Sequence, residues 1–462
     1  MVDGNSIHET DLLVIGGGPG GYHAAFRAAE NGIATTIVES SEGLGGVCLH
    51  RGCIPSKTYL SLVETIHQAE SSKAVGIDFG TPKIDANAVR GWKEQVVSRL
   101  TGGLDMLCKK FGVKKLHGTA QFESDNQVAV QKGDVSRIKF RRAIIATGSR
   151  SITLRGVQID SPRVMTSRDA LELADIPKTL LAIGGGYIGL ELGQIYAGLG
   201  SRVTVVEMLP GLLPGADRDL VRPLARRLKE QFEEICLETK VVSMKEVPGG
   251  LELSFDGKNP PKSNRFEKVL VSVGRRPNSS ELALAKAGVE VDDKGFIKTD
   301  ARFRTSCPHI YAIGDVIGNP MLAHKAQHEG HVVADILAGK DVVFEPRAIP
   351  AVVFTDPEIA WAGYTEEEAK AEKLDVVIKK MPWSASGRAV TLGRTDGTTK
   401  LIFDKSTKRL LGMGLTGRHV GEMIAEGALA LEMGATAVDL ASTIHPHPTL
   451  SETIMEVAGM VA

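Results

Sequence analysis

Leu12-Leu13-Val14-Ile15-Gly16-Gly17-Gly18-Pro19-Gly20-Gly21 is an apolar strand running into a glycine-rich turn, and the chain writes this pattern twice. The second copy is Leu180-Leu181-Ala182-Ile183-Gly184-Gly185-Gly186-Tyr187-Ile188-Gly189. Each copy leads into an Ala/Gly-rich helical stretch and then an apolar strand that ends in an acid. The acids are Glu39 and Glu207, each 23 residues past the first glycine of its copy. Strand, Gly-x-Gly-x-x-Gly turn, helix and distal acid are the parts of a βαβ dinucleotide site. The glycines are Gly16, Gly18 and Gly21 in one copy and Gly184, Gly186 and Gly189 in the other. They permit a tight turn and let a pyrophosphate approach a helix N-terminus, while the acid accepts hydrogen bonds from a ribose diol. The plainer reading, a glycine turn that merely packs a helix on a strand, is outweighed by the parts standing together. Glu207 would repel a 2′-phosphate, and Met208, Leu209 and Pro210 offer no basic residue to hold one. The second site is therefore expected to prefer NAD over NADP.

Between the two copies lies Gly45-Gly46-Val47-Cys48-Leu49-His50-Arg51-Gly52-Cys53-Ile54-Pro55-Ser56-Lys57. Two cysteines beside a dinucleotide fold suggest redox chemistry. A metal would want further Cys or His ligands at short spacing, and only His50 is near. On an ideal α-helix the two Cα atoms would stand roughly 8–9 Å apart, whereas a disulfide needs about 4.4–6.8 Å. The segment must therefore bend for the pair to oxidise, with Gly52 and Pro55 as the places to do so. His50 and Arg51 could favour a thiolate, or could simply form a solvated polar turn. A nicotinamide moves a hydride and does not productively attack a disulfide. A flavin can take the hydride and pass both electrons on, so the expected parts are NAD, FAD and a dithiol.

Composition narrows the classes. With 42% hydrophobic and 24% charged residues the chain reads as soluble and globular. A formal net charge of -1 gives no electrostatic case for nucleic acid or an anionic membrane. Five cysteines, an odd number, are too few and too scattered for a disulfide framework and point to a reducing compartment. Cys108, Cys236 and Cys307 have no cysteine neighbours in sequence and read as buried packing residues. Met1 to Thr10 is polar and lacks a secretory pattern. The expectation is a cytoplasmic protein with no metal, membrane or nucleic-acid partner.

Residues 56–70 and 89–110 read as helices, and residues 128–130 and 138–140 as short strands. Ala143 to Gly148 is a strand entering a small-residue turn that contains Thr147 and Gly148. Ile310 to Asp315 repeats that form before a helix near Gln327 to Leu337. After Pro346 the pattern becomes a separate α+β domain. Its strands are expected at Ala351 to Phe354 and Lys400 to Phe403. Its helices are expected at Thr365 to Lys373, Gly421 to Met433 and Ser451 to Val457. The final helix follows His445-Pro446-His447-Pro448-Thr449-Leu450-Ser451-Glu452, where Thr449 or Ser451 could cap it. A thiol–disulfide enzyme needs a base, and a histidine poised by a carboxylate suits that near neutral pH. Lys57 lies one helical turn past Cys53. Glu191, in an otherwise apolar helix, wants a cation, for which Lys57 is a candidate.

The stretch from Gly45 to Lys57, with His445 to Glu452, resembles the class I pyridine nucleotide–disulfide oxidoreductases over essentially the whole chain. Ala146-Thr147-Gly148, Val273-Gly274-Arg275-Arg276-Pro277-Asn278, Ile313-Gly314-Asp315 and Leu322-Ala323-His324-Lys325-Ala326 belong to the likeness. The His-x-His-Pro-Thr-x-Ser-Glu ending favours the dihydrolipoamide dehydrogenase branch. The resemblance implies an α/β chain of two Rossmann-like dinucleotide-binding domains and a C-terminal α+β dimerisation domain. The expected divisions are 1–150 (FAD and redox disulfide), 151–278 (NAD), 279–346 (a central domain completing the FAD site) and 347–462 (interface). It further implies that Cys53 is the sulfur nearest the flavin, that Cys48 exchanges with substrate, and that His447 is the base, oriented by Glu452. That histidine would come from the partner of a homodimer. Glu39, Asp315 and the Met321-Leu322-Ala323 backbone would contact FAD, with Lys57 and Glu191 beside the ring. Gly274 and Tyr187 would lie on the nicotinamide side, where Tyr187 could cover the flavin. The activity implied is ping-pong oxidation of protein-bound dihydrolipoamide by NAD+. The lipoyl group would belong to a 2-oxo acid dehydrogenase complex or a glycine cleavage H-type protein. Glutathione reduction normally uses NADPH and a different ending, and mercuric reductases carry a C-terminal cysteine pair that this chain lacks. Intact Cys48, Cys53, His447 and Glu452 argue against a non-enzymatic flavoprotein.

Overall fold

The computed structural model describes residues 7–462 apart from Arg155 and Gln158. The first six residues of the stretch Met1 to Thr10 lie outside the described residues. The chain divides into two compact units. The first gathers the chain up to Thr58 with Asn87–Ile152 and Gly274–Glu345; the second gathers Tyr59–Ala86, Thr153–Val273 and Pro346–Ala462.

In the first unit, strand β1 (Ile7–Ile15), helix α1 (Pro19–Glu30) and strand β2 (Thr35–Glu39) form the first βαβ. The two strands pair in parallel, with Ile15 opposite Val38. Strand Lys114–His117 joins the far side of β2, and Arg137–Ile145 joins β1, both in parallel. Ile310–Ala312 then lies parallel to Ala143–Ile145. Because these strands run the same way in register, their carboxyl ends share one sheet edge. Gly16, Glu39, Ala146 and Ile313 end up level with one another, and chemistry in such sheets gathers at that edge.

The unbroken apolar run of β1 follows from burial on both faces. Leu13 and Ile15 pack with Phe122, Val128 and Phe140 on one side. Leu12 and Val14 meet Ala24, Ala25, Ala28 and Val333 on the other. The small residues of α1 let helix Ala323–Leu337 come close, and a Cβ on Gly330 would stand 2.7 Å from the Gly20 carbonyl oxygen.

The second unit repeats the arrangement. Thr179–Ile183 pairs in parallel with Arg202–Val206 on one side and Lys268–Val271 on the other. Glu234–Cys236 and Val164–Met165 extend the sheet outward. A hairpin, Thr239–Val247 with Gly250–Gly257, covers one face through Met244, Leu251 and Leu253. The C-terminal residues form an antiparallel sheet of five strands in the order Ala351–Val353, Glu358–Gly363, Leu410–Gly417, Thr398–Asp404, Val376–Pro382. Two of those strands were legible in the sequence. Leu410–Gly417 was not, because Gly412, Gly414 and Gly417 weaken its strand pattern. Packing explains all three: a Cβ would stand 2.0 Å from the Tyr364 carbonyl oxygen at Gly412, 2.5 Å from Leu220 at Gly414 and 2.3 Å from the ring of fully buried Trp383 at Gly417.

Lys400, 1% exposed, ties this sheet to the nucleotide fold of the same unit. Its ammonium reaches Asp217 at 2.8 Å, Asp219 at 3.1 Å and Glu366 at 2.7 Å. A buried cation is tolerable only with such partners. Among the described residues no such cation pairs with Glu358, which accepts the Gly421 amide at 2.9 Å. Burial, followed by the negative charges of Glu64, Glu422 and Asp356, pushes its carboxyl up to about 7.

A carboxyl raised on folding binds its proton more tightly when folded, so its contribution to stability falls as pH rises from the unfolded value toward 7. Glu358→Gln is expected to leave thermal stability nearly unchanged near pH 4, below the ordinary carboxyl value. At pH 8 it should raise stability by about 1–3 kcal/mol. Calorimetry at the two pH values measures this, and an equal effect at both would remove the assignment.

Candidate active site

The segment holding the cysteine pair is bent, as the distance argument requires. Helix α2 (Gly46–Arg51) carries Cys48, and helix α3 (Cys53–Ser72) begins at Cys53. Gly52 between them leaves helical geometry, at φ -151 and ψ -112. The sequence reading starts α3 at residue 56. The structure starts it at Cys53, because Pro55 then falls in the first turn, where its missing N–H costs nothing.

Both cysteines are thiols, Cys53 exposed and Cys48 half-buried. A hydrogen bond with Cys53, then burial, drives the Cys48 thiol far above its ordinary value, and Lys57 opposes the shift. His50 and Arg51 each contact the loop before the helix. His50 Nε2 pairs with the Leu44 carbonyl oxygen at 2.9 Å, and Arg51 donates to Ser41 Oγ at 3.4 Å. Lys57 is the cation that acts on Cys48. Tyr22, which the sequence reading passed over, stands by the same thiols. Burial first, then the two cysteines, pushes its phenol up to about 12. Its place directly after Gly21 was the available signal.

The two glycine turns are built alike. Glu39 Oε2 accepts the Gly17 amide at 2.6 Å and Oε1 accepts the Ser41 amide at 2.7 Å. Glu207 repeats this with Gly185 at 2.6 Å and Leu209 at 2.8 Å. Each carboxylate keeps lone pairs for further donors. The first and third glycines are needed by the fold itself. A Cβ on Gly21 would lie 1.9 Å from the Gly16 carbonyl oxygen, and one on Gly189 would lie 2.2 Å from that of Gly184. The middle glycines are different. Gly186 faces nothing within 4 Å, and Gly18 meets only the Gly46 Cα at 3.9 Å. Each middle glycine begins a helix, as N-cap of Pro19–Glu30 or Tyr187–Gly198. The space before them suits a pyrophosphate drawn to the helix N-termini, so both cradles fit a dinucleotide. Tyr187 is exposed and Ile188 half-buried at the start of the second helix.

Further expected contacts gather at the sheet edge of the first unit. Thr147 and Asn278 exchange two hydrogen bonds of 2.9 Å, and the Gly148 carbonyl accepts the Asn278 amide at 2.9 Å. Asp315 accepts from the Ser149 hydroxyl, with Arg275 Nε at 3.9 Å. Gly314 donates to Glu329 Oε2 at 2.7 Å, and Glu329, 1% exposed, pairs with Lys325 at 2.6 Å. The sequence reading gave Lys325, Glu329 and Ser149 no role. Met321 and Leu322 precede helix Ala323–Leu337, with Leu322 as its N-cap. Gly274 belongs to the first unit, where its carbonyl accepts the Ile152 amide at 3.0 Å. Glu191 is buried in the second unit and accepts the Phe354 amide at 3.0 Å.

The terminal histidines separate cleanly. His445 is locked by Glu426 Oε1 at 2.7 Å and the Thr443 carbonyl at 2.8 Å. His447, its side chain 82% exposed, has Nδ1 2.9 Å from Glu452 Oε1. The Thr449 amide, then His447, holds the Glu452 carboxyl below its usual range. Neither Thr449 nor Ser451 caps helix Glu452–Gly459 with its side chain. Thr449 Oγ1 instead donates to the Pro446 carbonyl and contacts Ser451 Oγ at 3.1 Å.

Residues 10–330 match the pyridine nucleotide-disulphide oxidoreductase family, and residues 349–458 match its dimerisation domain. The chain belongs to this family. It is 46% identical to a dihydrolipoyl dehydrogenase of Vibrio parahaemolyticus over 96% of this chain and 94% of that one. With a dihydrolipoyl dehydrogenase of Bacillus subtilis it shares 45% identity over 99% and 97% of the two chains. Among solved structures, LpdA from Mycobacterium tuberculosis superposes with a TM-score of 0.90 at 25% identity, covering 98% of this chain and 100% of that chain. The HOCl-induced flavoprotein disulfide reductase RclA from Escherichia coli does so at 0.88 and 26% identity, with the same coverage. Members of this family are flavoproteins built on two dinucleotide folds, as the paired cradles here require. No helix among the described residues is long and apolar enough to cross a membrane.

The two kinds of glycine are separable by mutation. Gly186→Ala meets no atom of the protein, so it is expected to keep the melting temperature and weaken NAD binding by about 10-fold or more. Gly189→Ala must push the turn off the helix and should cost about 1–3 kcal/mol of stability. Paired calorimetry and NADH titration would read both, and unchanged NADH affinity in Gly186→Ala would rule out that cradle.

Proposed function

We propose that this chain oxidises dihydrolipoamide carried on a lipoyl domain, with NAD+ as acceptor, and that it works as a homodimer. The observation that carries the reading is the neighbouring Cys48–Cys53 thiol pair, in which a hydrogen bond with Cys53 and then burial raise the Cys48 thiol above its ordinary value. Such a thiol needs a base, and the exposed His447 braced by Glu452 is suited to be one. The similarity to proteins named dihydrolipoyl dehydrogenase supports the substrate. Glu207 supports NAD over NADP, because its carboxylate sits where a 2′-phosphate would be repelled.

Residue by residue, the chemistry runs as follows. A thiolate of the incoming dithiol attacks the Cys48 sulfur of the oxidised pair, forming a mixed disulfide and releasing Cys53 as thiolate. His447 takes the substrate's proton through Nε2 while Nδ1 stays bonded to Glu452, which steadies the resulting imidazolium. The second substrate thiol then displaces Cys48, giving up its own proton to solvent as the S–S bond of lipoamide closes. Lipoamide leaves, and the proton on His447 returns to the Cys48 sulfur. Lys57 lies close enough to temper the charge of the reduced pair. FAD, when bound, is the carrier between the dithiol and the nicotinamide. The residues suited to hold it are Gly16, Gly18, Gly21, Glu39, Thr147, Gly148, Asp315 and the Met321-Leu322-Ala323 backbone. Gly184, Gly186, Tyr187, Ile188, Gly189, Glu191, Glu207 and Gly274 are suited to the NAD and ring side. In a homodimer the dithiol of one copy and the His447–Glu452 pair of the other make one site. The matching dimerisation domain supports that arrangement. We further divide the chain functionally at 1–150, 151–278, 279–346 and 347–462. Five free cysteines suit the cytoplasm, and a 2-oxo acid dehydrogenase complex or a glycine cleavage H-type protein is the fitting lipoyl partner.

Steady-state turnover should be found with dihydrolipoamide plus NAD+ and be far weaker with glutathione disulfide plus NADPH; the reverse order would overturn the assignment. His447→Gln is expected to lower kcat for dihydrolipoamide by about 10²–10⁴-fold while leaving NADH binding intact. A rate within a few-fold of the parent would take the base away from His447.

A further inference from the structure

Lys325 and Glu329 are buried charges that the thiol chemistry does not use. Glu329 is 1% exposed and Lys325 8%, and their side chains meet at 2.6 Å, one turn apart on helix Ala323–Leu337. We infer that Glu329 is a positioning residue for FAD: it holds the Gly314 amide, and through it the turn that presents Asp315. The inference rests on the reading that Asp315 faces FAD. It assigns the anchoring of that turn to Glu329, with Lys325 as the counter-charge.

The turn is the first argument. Gly314, at φ +75, opens the short turn Gly314–Ile317, and Asp315 is its second residue. The Gly314 amide donates to Glu329 Oε2 at 2.7 Å. The Asp315 carbonyl accepts the Gly318 amide at 3.3 Å, which closes the turn, and the Asp315 carboxylate accepts from the Ser149 hydroxyl. Ser149 is held in its turn by Arg275, which donates to Ser149 Oγ through Nε and to the Ser149 carbonyl through Nη2, each at 2.7 Å. The carboxylate of Asp315 is thus fixed by the Ser149–Arg275 strand pair, and Glu329 fixes the backbone that carries it.

Packing is the second argument. The helical turn that bears the pair also touches the first glycine cradle. A Cβ on Gly20 would stand 3.2 Å from the Ala326 Cβ and 3.2 Å from Ile313 Cδ1, and one on Gly314 would stand 3.2 Å from the Ala326 Cβ. With Gly330 pressed against the Gly20 carbonyl, these approaches leave the helix little room to shift. Glu329 stands between Ala326 and Gly330 in that helix, so its carboxylate ties the Asp315 turn to the same seam as the cradle.

Charge decides the residue type. Burial pushes the Glu329 carboxyl up, the Lys325 ammonium and the Gly314 amide oppose that rise, and the charge of Asp315 adds to it. An ionised carboxylate only accepts, so it can give one oxygen to Lys325 and the other to Gly314. A hydrogen bond to a charged acceptor is about twice as strong as a neutral one. A carboxamide in its place would be divided: the Lys325 ammonium would draw the oxygen, and the NH2 would then face the Gly314 N–H.

The test follows FAD loss from the holoenzyme, by ultrafiltration and flavin absorbance, beside hydrogen exchange in a peptide covering Gly314 and the melting temperature. Glu329→Gln should release FAD about 10-fold faster or more and lose protection at Gly314. Adding Lys325→Met removes the competing ammonium and returns the carboxamide oxygen to Gly314. The double variant should therefore regain that protection and keep FAD within a few-fold of the parent. A pair that only stabilised the fold would leave the double variant no better than Glu329→Gln; that result, or unchanged FAD loss in Glu329→Gln, overturns the inference. Asp315→Ala separates the two readings. If it keeps FAD like the parent, the reading of Asp315 falls and the inference with it. If it releases FAD while Glu329→Gln does not, Asp315 stands and Glu329 alone is overturned. If Glu329→Gln does not fold, the double variant carries the test, and FAD loss about 10-fold above the parent overturns the inference.

Discussion

The contact on which each nucleotide fold depends is one that no side chain could survive. The third glycine of each turn lies so close to the carbonyl of the first that a Cβ would fall 1.9 or 2.2 Å from it. That approach presses the first turn of the helix onto the end of its strand. It aims the helix N-terminus at the sheet edge, and it brings the second amide of the turn within reach of the acid ending the next strand. The acid then holds the turn from outside. A local packing limit thus becomes a paired cradle, and only the middle glycine is left facing outward to meet a ligand.

Parallel register does the rest. The strands of the first sheet finish level, so the small-residue turns after Ile145 and Ala312 arrive beside the glycine turn although they are far apart in the chain. The buried Lys325–Glu329 pair then takes hold of the Gly314 amide next to Asp315. A buried ion pair of this kind adds little net stability, but once formed it fixes the position of what it touches.

The sulfur chemistry rests on a division of proton affinity. Two neighbouring thiols share one hydrogen bond, which leaves Cys48 reluctant to ionise while Lys57 works the other way. A reluctant thiol calls for a base. Of the two terminal histidines, only His447 has a ring that is not closed in by its own surroundings. The contrast between them is an effect of burial and partners, since both sit in the same short motif.

Much of this was legible in the chain itself. The repeat, the acids at equal spacing, the cysteine pair and the histidine ending follow from residue type and spacing, because strand–turn–helix chemistry is local. The need for a bend between Cys48 and Cys53 followed from helix geometry alone. Tertiary structure decided what local rules cannot reach. The glycine-rich strand Leu410–Gly417 exists because Trp383 and neighbouring backbone need its missing side chains. The His50 ring met the Leu44 carbonyl and the Arg51 guanidinium met Ser41, contacts set by the path of the loop. Sequence spacing determined which chemistry each segment could carry. Long-range packing decided which charges and sulfurs face each other, since those energies depend on through-space distance and burial.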